Sequence, residues 1–110
     1  MLESIFGNPT AEKVLLFIHH HGEAHLGAIA ADYGVSKAAV RQQLNRFERG
    51  GVLVSKEMGR TRIYTFNKKS PLTRPVQDLV GLAYDQLSVN EKEKIFHSRR
   101  RPRRKGKPVT

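Results

Sequence analysis

The chain has 110 residues, is 38% hydrophobic, and carries a formal net charge of +10 without a single cysteine. The length fits one domain with an appendage, and the charge points to a polyanionic partner, nucleic acid before acidic membrane. The missing thiols exclude disulfides, thiolate zinc sites and cysteine nucleophiles.

The first residues, Met1-Leu2-Glu3-Ser4, lack the basic start and apolar run of a secretion signal. No apolar run approaches the ~20 residues that span a bilayer. The expected setting is the cytoplasm, in association with the nucleoid. Asn8-Pro9-Thr10 predicts a helix start, because Asn caps well and Pro at the first helical position loses no hydrogen bond. Val14, Leu15, Phe17 and Ile18 then form an apolar stripe of helical spacing, and Gly22 ends the helix. Glu23-Ala24-His25 is expected to pair briefly with a later hairpin.

A second helix is predicted from His25 to Tyr33, with Leu26, Ile29, Ala30 and Tyr33 on one face. Gly34 supplies the positive φ of a sharp turn. Val35 plugs the core beneath it, and Ser36 caps the next helix. That helix, Lys37 to Arg49, buries Val40, Leu44 and Phe47 and displays Lys37, Ala38, Arg41, Gln42 and Asn45. Gly50-Gly51 stops it. Residues 52–57 and 62–66 read as two strands joined by the tip Met58-Gly59-Arg60-Thr61.

After the linker 67–71, Leu72, Val76, Leu79, Val80, Ala83 and Leu87 predict a further apolar helical stripe, with Pro75 tolerated in its first turn. Ser88 and Glu91 have the spacing of a capping box and start a short helix through Phe96. From Ser98 onward the chain has no apolar periodicity and reads as disordered. Residues 99–110 hold seven basic side chains (Arg99, Arg100, Arg101, Arg103, Arg104, Lys105 and Lys107) and no acid. Removing those seven from +10 leaves a body of +3.

Helix, tight turn, helix and hairpin, in that order, form the layout of a winged helix-turn-helix. The expected fold class is α+β, mostly α. The winged domain covers residues 1–88, including a dimerisation helix over 72–87. A short helical extension over 89–97 and the basic tail over 98–110 follow.

This layout presents one polar helix face to a DNA major groove and a basic loop to the flanking backbone. Ser36, Lys37, Ala38, Arg41, Gln42 and Asn45 are the candidate contacts of the helix, with Arg41 and Gln42 the candidate base readers and Ala38 small enough to meet a thymine methyl. Arg60, Thr61 and Arg62 are the candidate contacts of the wing, in a minor groove or on phosphates. The plain alternative for both sets is a solvated surface. The tail reads as sequence-blind phosphate neutralisation. Lys105-Gly106-Lys107-Pro108 also resembles, loosely, the Arg-Gly-Arg-Pro core of an AT-hook.

His19, His20, His21 and His25 gather at the end of the first long helix. Gly22 interrupts the helix that a metal pair at His21 and His25 would need, and cationic imidazoles at a helix C-terminus are the simpler account. No metal or other cofactor is expected. No nucleophile elbow, P-loop or paired carboxylates appear, so no enzyme is expected.

The run from Ile29 to Val40, continued by Leu44, Phe47, Glu48, Gly51, Val52 and Leu53, resembles the winged-helix regulators of the ArsR-like and MarR-like families. Gly59-Arg60-Thr61-Arg62-Ile63-Tyr64 is similar to their wing, and Ile5-Phe6-Gly7-Asn8-Pro9-Thr10 to the lead-in of small ArsR-like proteins. The resemblance covers roughly residues 4–88 and implies a homodimeric transcriptional regulator, more often a repressor, that binds double-stranded DNA. Metal-sensing ArsR members use cysteine ligands, and none is present here. The rival reading is a winged helix serving as a protein-interaction or nucleoid-architectural module through the basic tail. RNA or single-strand binding would call for exposed stacking aromatics, which the wing lacks.

Deletion of residues 99–110 is expected to lower affinity for all DNA sequences alike and to flatten the dependence of log K on log salt. Binding isotherms at several salt concentrations measure both, and an unchanged slope would refute the phosphate role.

Overall fold

The computed structural model describes residues 1–96, and the basic run of the tail lies outside them. Six helices and one hairpin follow in chain order: α1 (Glu3–Phe6), α2 (Pro9–His21), α3 (Leu26–Tyr33), α4 (Lys37–Arg49), β1 (Leu53–Met58), β2 (Thr61–Phe66), α5 (Thr73–Asp85) and α6 (Val89–Ile95). None of the helices described is long and apolar enough to cross a membrane.

Helix α2 starts as its sequence dictates. Asn8 Oδ1 accepts from the Ala11 N–H at 2.8 Å, and Gly22 closes the helix at φ +85°. Its centre is buried more completely than a single stripe requires. Ala11, Val14, Leu15, Phe17 and Ile18 are fully buried, and Leu16 nearly so. The reason is that α1, α3, α4, α5 and β2 all pack around it. A helix apolar all round is a central one.

Helix α1 is too short to carry a periodicity. Leu2 and Phe6 are buried, and the Phe6 ring meets Phe47 edge-on at 5.9 Å. Arg46 secures it from α4, its Nη2 donating to the Phe6 carbonyl at 2.9 Å while its guanidinium lies 5.5 Å from the Phe47 ring centre.

The turn between α3 and α4 forms as expected. Gly34 takes φ +65°, the Val35 N–H donates to Ala30 O, half-buried Val35 packs on the core, and Ser36 Oγ accepts from Ala39 N at 3.1 Å. Val40, Leu44 and Phe47 bury one side of α4, joined by Gln43.

Strands β1 and β2 are antiparallel, with Met58 opposite Thr61, so the loop is only Gly59-Arg60. Gly59 has φ +66° at its first position, which a two-residue turn of the II′ class needs. Ala24 adds a one-residue bridge to Tyr64, realising the expected pairing of residues 23–25 at a single position.

Helix α5 corrects part of the expected dimer stripe. Val80 is fully buried and Ala83 is 4% exposed, because both point inward where α5 packs on α2. Leu72 precedes the first helical residue and is 55% exposed, with Leu82 at 54% also outward. Val76, Leu79 and Leu87 lie between these extremes, half-buried against the core. The stripe is thus two faces, one internal and one outward.

Helix α6 opens with the capping box: Ser88 Oγ accepts from Glu91 N at 3.1 Å, and Glu91 Oε1 accepts from Ser88 N at 2.8 Å. Its own residues stay at the surface, and Phe96, just past its end, is the anchor.

The two sides of α4 differ in what substitution costs. Leu44→Ala is expected to destabilise by about 2–5 kcal/mol through loss of packing. Gln42→Ala, on the exposed side, is expected to stay within about 0.5 kcal/mol. Urea unfolding of both variants measures the difference.

Candidate nucleic-acid interface

Lys37, Arg41 and Asn45 follow one another at four-residue steps on α4 and therefore share one line of its surface. They form one wall of a cleft of about 480 Å³. The wing forms another wall with Arg60, Thr61, Arg62 and the inner residue Tyr64. His25, Leu26 and Gly27, at the start of α3, line it as well. Ser36, Ala38 and Gln42 are exposed beside the cleft rather than in its walls. Three of the helix candidates, Lys37, Arg41 and Asn45, thus meet the three wing candidates across one concavity.

The lining carries Lys37, Arg41, Arg60 and Arg62 and no carboxylate. Like charges around a low-dielectric hollow focus the field and draw in anions. The beginning of α3 adds the positive end of a helix dipole. Burial, and then the Glu48 charge, raise the Tyr64 pKa, against the smaller opposing pull of Arg62 and Arg41.

The two wing arginines differ. Arg60 is exposed on the two-residue loop. Arg62 is engaged: Nη2 donates to Glu57 Oε1 at 2.9 Å and Nη1 to Ser55 Oγ at 2.9 Å. Ser55 Oγ donates in turn to Glu48 Oε2 at 2.6 Å. Glu48 belongs to α4, so this chain of polar groups ties the wing to the helix. Spacing along the sequence gives Arg62 a free guanidinium; the antiparallel register, which sets Glu57 opposite it, removes that freedom.

His19, His20 and His21 stay together in the last turn of α2, the His20 and His21 rings 4.5 Å apart, while His25 departs. His25 caps α3, its Nδ1 accepting from Ala28 N at 3.3 Å, rather than joining a cluster at the end of α2. His20 stacks on Phe96 at 4.2 Å, and its Nδ1 lies 2.7 Å from the Tyr84 hydroxyl. Burial, then nearby Lys92, lower the His20 pKa. His19 packs against Tyr84 and His21 against Phe17. Among the described residues no three His, Cys, Asp or Glu side chains gather as a metal group.

Sequence reasoning missed His25, Leu26, Gly27 and Tyr64 as cleft residues. A polar cap residue followed two positions later by Gly, at the start of a short helix, was the available signal for the first three. The candidate phosphate contacts Arg99, Arg100, Arg101, Arg103, Arg104, Lys105 and Lys107 lie outside the described residues.

No protein-family model matches the chain, and no curated protein matches it in sequence. A solved structure does. The AntR antimony-specific transcriptional repressor superposes with a TM-score of 0.58 at 24% sequence identity, over 77% of this chain and 74% of that one. The likeness is one of fold: helices followed by a two-stranded antiparallel wing.

Glu57 both occupies Arg62 and sets a negative charge on the wing. Glu57→Gln is expected to tighten duplex DNA binding about two- to fivefold, the range of an exposed ion pair released. Fluorescence anisotropy at constant salt reads the change; weaker binding with an intact hairpin would show that Glu57 serves the interface.

Proposed function

We propose that this protein is a sequence-specific, double-stranded DNA-binding transcriptional repressor acting as a homodimer in the cytoplasm. Helix α4 reads the major groove, and the wing holds the neighbouring minor groove and backbone. The observation that carries this reading is the acid-free cleft that joins Lys37, Arg41 and Asn45 of α4 to Arg60, Thr61 and Arg62 of the wing. The fold likeness to a transcriptional repressor supports it.

Roles follow from position. Arg41, at the middle of the exposed line, has the fork that pairs with guanine O6 and N7, and Gln42 beside it can pair with adenine. Lys37 and Ser36, at the start of α4, suit a phosphate, as does Arg60 at the wing tip. Arg62 contributes through the shape of the wing as much as through contact. The tail adds affinity without sequence preference. A cleft lined by cations, without a nucleophile–base pair or paired carboxylates, suits binding rather than catalysis.

A homodimer is supported by α5. Leu72 just before it and Leu82 on it are more than half exposed, with half-buried Val76 and Leu79 between them. One recognition helix buries little surface, whereas two related by a two-fold axis read half-sites about 34 Å apart. Steric blocking of transcription is the proposed mode of action, in keeping with the fold likeness to a repressor.

Selection of random duplex DNA, with the whole chain and with residues 99–110 removed, tests this function. A two-fold symmetric motif that survives removal is expected. Enrichment of A·T-rich DNA only with the tail would favour the architectural module instead. Arg41→Ala is expected to weaken binding to the selected site by about 1–3 kcal/mol while non-specific binding changes little. Equal losses on both kinds of DNA would remove Arg41 from base reading.

A further inference from the structure

Helices α4 and α5 each pack on α2 and have little direct contact with one another. The chain between them runs out through the wing and back, so the covalent connection leaves their relation loose. Asn67, just past the end of β2, closes that gap. Its Nδ2 donates to the Gly51 carbonyl at 2.9 Å, and its backbone N–H donates to Val52 O at 2.9 Å. Gly51 and Val52 form the turn that ends α4, their own N–H groups donating to Glu48 O and Phe47 O. On the other side, the Asn67 carbonyl accepts from the Thr73 hydroxyl at 2.6 Å. Thr73 is the first residue of α5 and is only 2% exposed. Asn67 Oδ1 accepts from Lys69 N at 3.1 Å, which fixes the amide one way round. Turned over, it sets an oxygen against the Gly51 carbonyl, and neither can donate.

One residue thus fastens the end of α4 to the start of α5. The attachment lies at the opposite end of α4 from Lys37. From Lys37 to Arg49 the helix is about 18 Å long, so a rotation of about 5° at its attached end moves Lys37 by about 1.6 Å. In a two-fold dimer the two helix starts then shift by up to about 3 Å relative to each other, close to one base-pair step.

We propose that Asn67 is a positioning residue for DNA recognition, which sets the separation of the two half-sites that the dimer accepts. It lies outside the interface cleft and acts by holding α4 at a fixed angle to α5. The inference rests on the homodimer through α5 and the major-groove reading proposed above. Half-sites one base pair too close or too far are bound only by turning α4 against this attachment. The cost is that of the Nδ2–carbonyl bond, about two- to tenfold in affinity for each protomer.

The test uses the full chain and duplexes with two copies of the selected half-site. The copies are separated by the selected spacer or by one base pair more or fewer, and a single half-site serves as reference. Wild type is expected to prefer the selected spacer. Asn67→Ala and Asn67→Asp both lack the donor to Gly51, and each is expected to narrow that preference by about two- to tenfold. The half-site sequence and the affinity for a single half-site are expected to stay as in wild type. Asn67→Asp keeps the acceptor for Lys69 N, so its agreement with Asn67→Ala assigns the effect to the α4 attachment and not to the linker turn.

A second pair of variants tests the α5 end and decides the matter should the Asn67 variants not fold. Thr73→Val, of similar shape without the donor, is expected to narrow the preference in the same way, and Thr73→Ser to retain it. A spacer preference that survives Asn67→Ala and Thr73→Val, or a single-half-site affinity that falls in step with it, overturns the positioning role alone. A wild type that selects no pair of half-sites overturns the dimeric reading, and this inference with it.

Discussion

The burial of α2 on all sides is the constraint from which the rest follows. Phe17, Leu15, Ile18 and Val14 are enclosed by five neighbouring elements, and each neighbour spends its apolar face on them. Helix α4 supplies Val40, Leu44 and Phe47 to this enclosure, and its orientation is then settled. With three apolar residues turned inward, Lys37, Arg41 and Asn45 have only the outside to occupy. The polar line of α4 is thus a by-product of hydrophobic packing and needs no separate device to aim it.

The wing is aimed differently, by polar contacts along its length. The Arg62–Ser55–Glu48 chain and the Ala24–Tyr64 bridge fasten the hairpin to α4 and to the segment before α3. Each contact is weak alone, since exposed ion pairs contribute little. Together they restrict a two-stranded hairpin that is marginal by itself. Arg60, beyond the last paired residues, stays available while Arg62 braces the strand that carries it.

The local elements were legible because their signals are local. Asn8 and Ser36 cap, Gly34 turns, Ser88 and Glu91 form their box, and Val40, Leu44 and Phe47 repeat at helical steps. Helix α1 was not legible, because what holds it is a carbonyl bond and a ring contact from residues some forty positions away. The inward turn of Val80 and Ala83 was hidden for a related reason: an apolar stripe does not say whether it packs on its own chain or on a second copy. In the site, the residues of α4 and the loop were readable from helical and hairpin geometry. The engagement of Arg62 depended on strand register, and the presence of His25 and Gly27 depended on how α3 meets the wing.

Helix α6 has the least invested in the fold. None of its residues is fully buried, and its chief anchor is Phe96, which touches the rings of Phe17, His20, Tyr33 and Tyr84. Half-buried Ile95 and Lys92, whose Nζ lies 4.1 Å from the Tyr84 ring centre, add the remaining contacts, so few side chains hold this edge while the enclosure of α2 is independent of them. The domain therefore possesses a separable outer unit, whose opening free energy is a fraction of the global one. A competitor for that edge would have to offer Phe96 and Ile95 a better pocket than the rings and core they now meet.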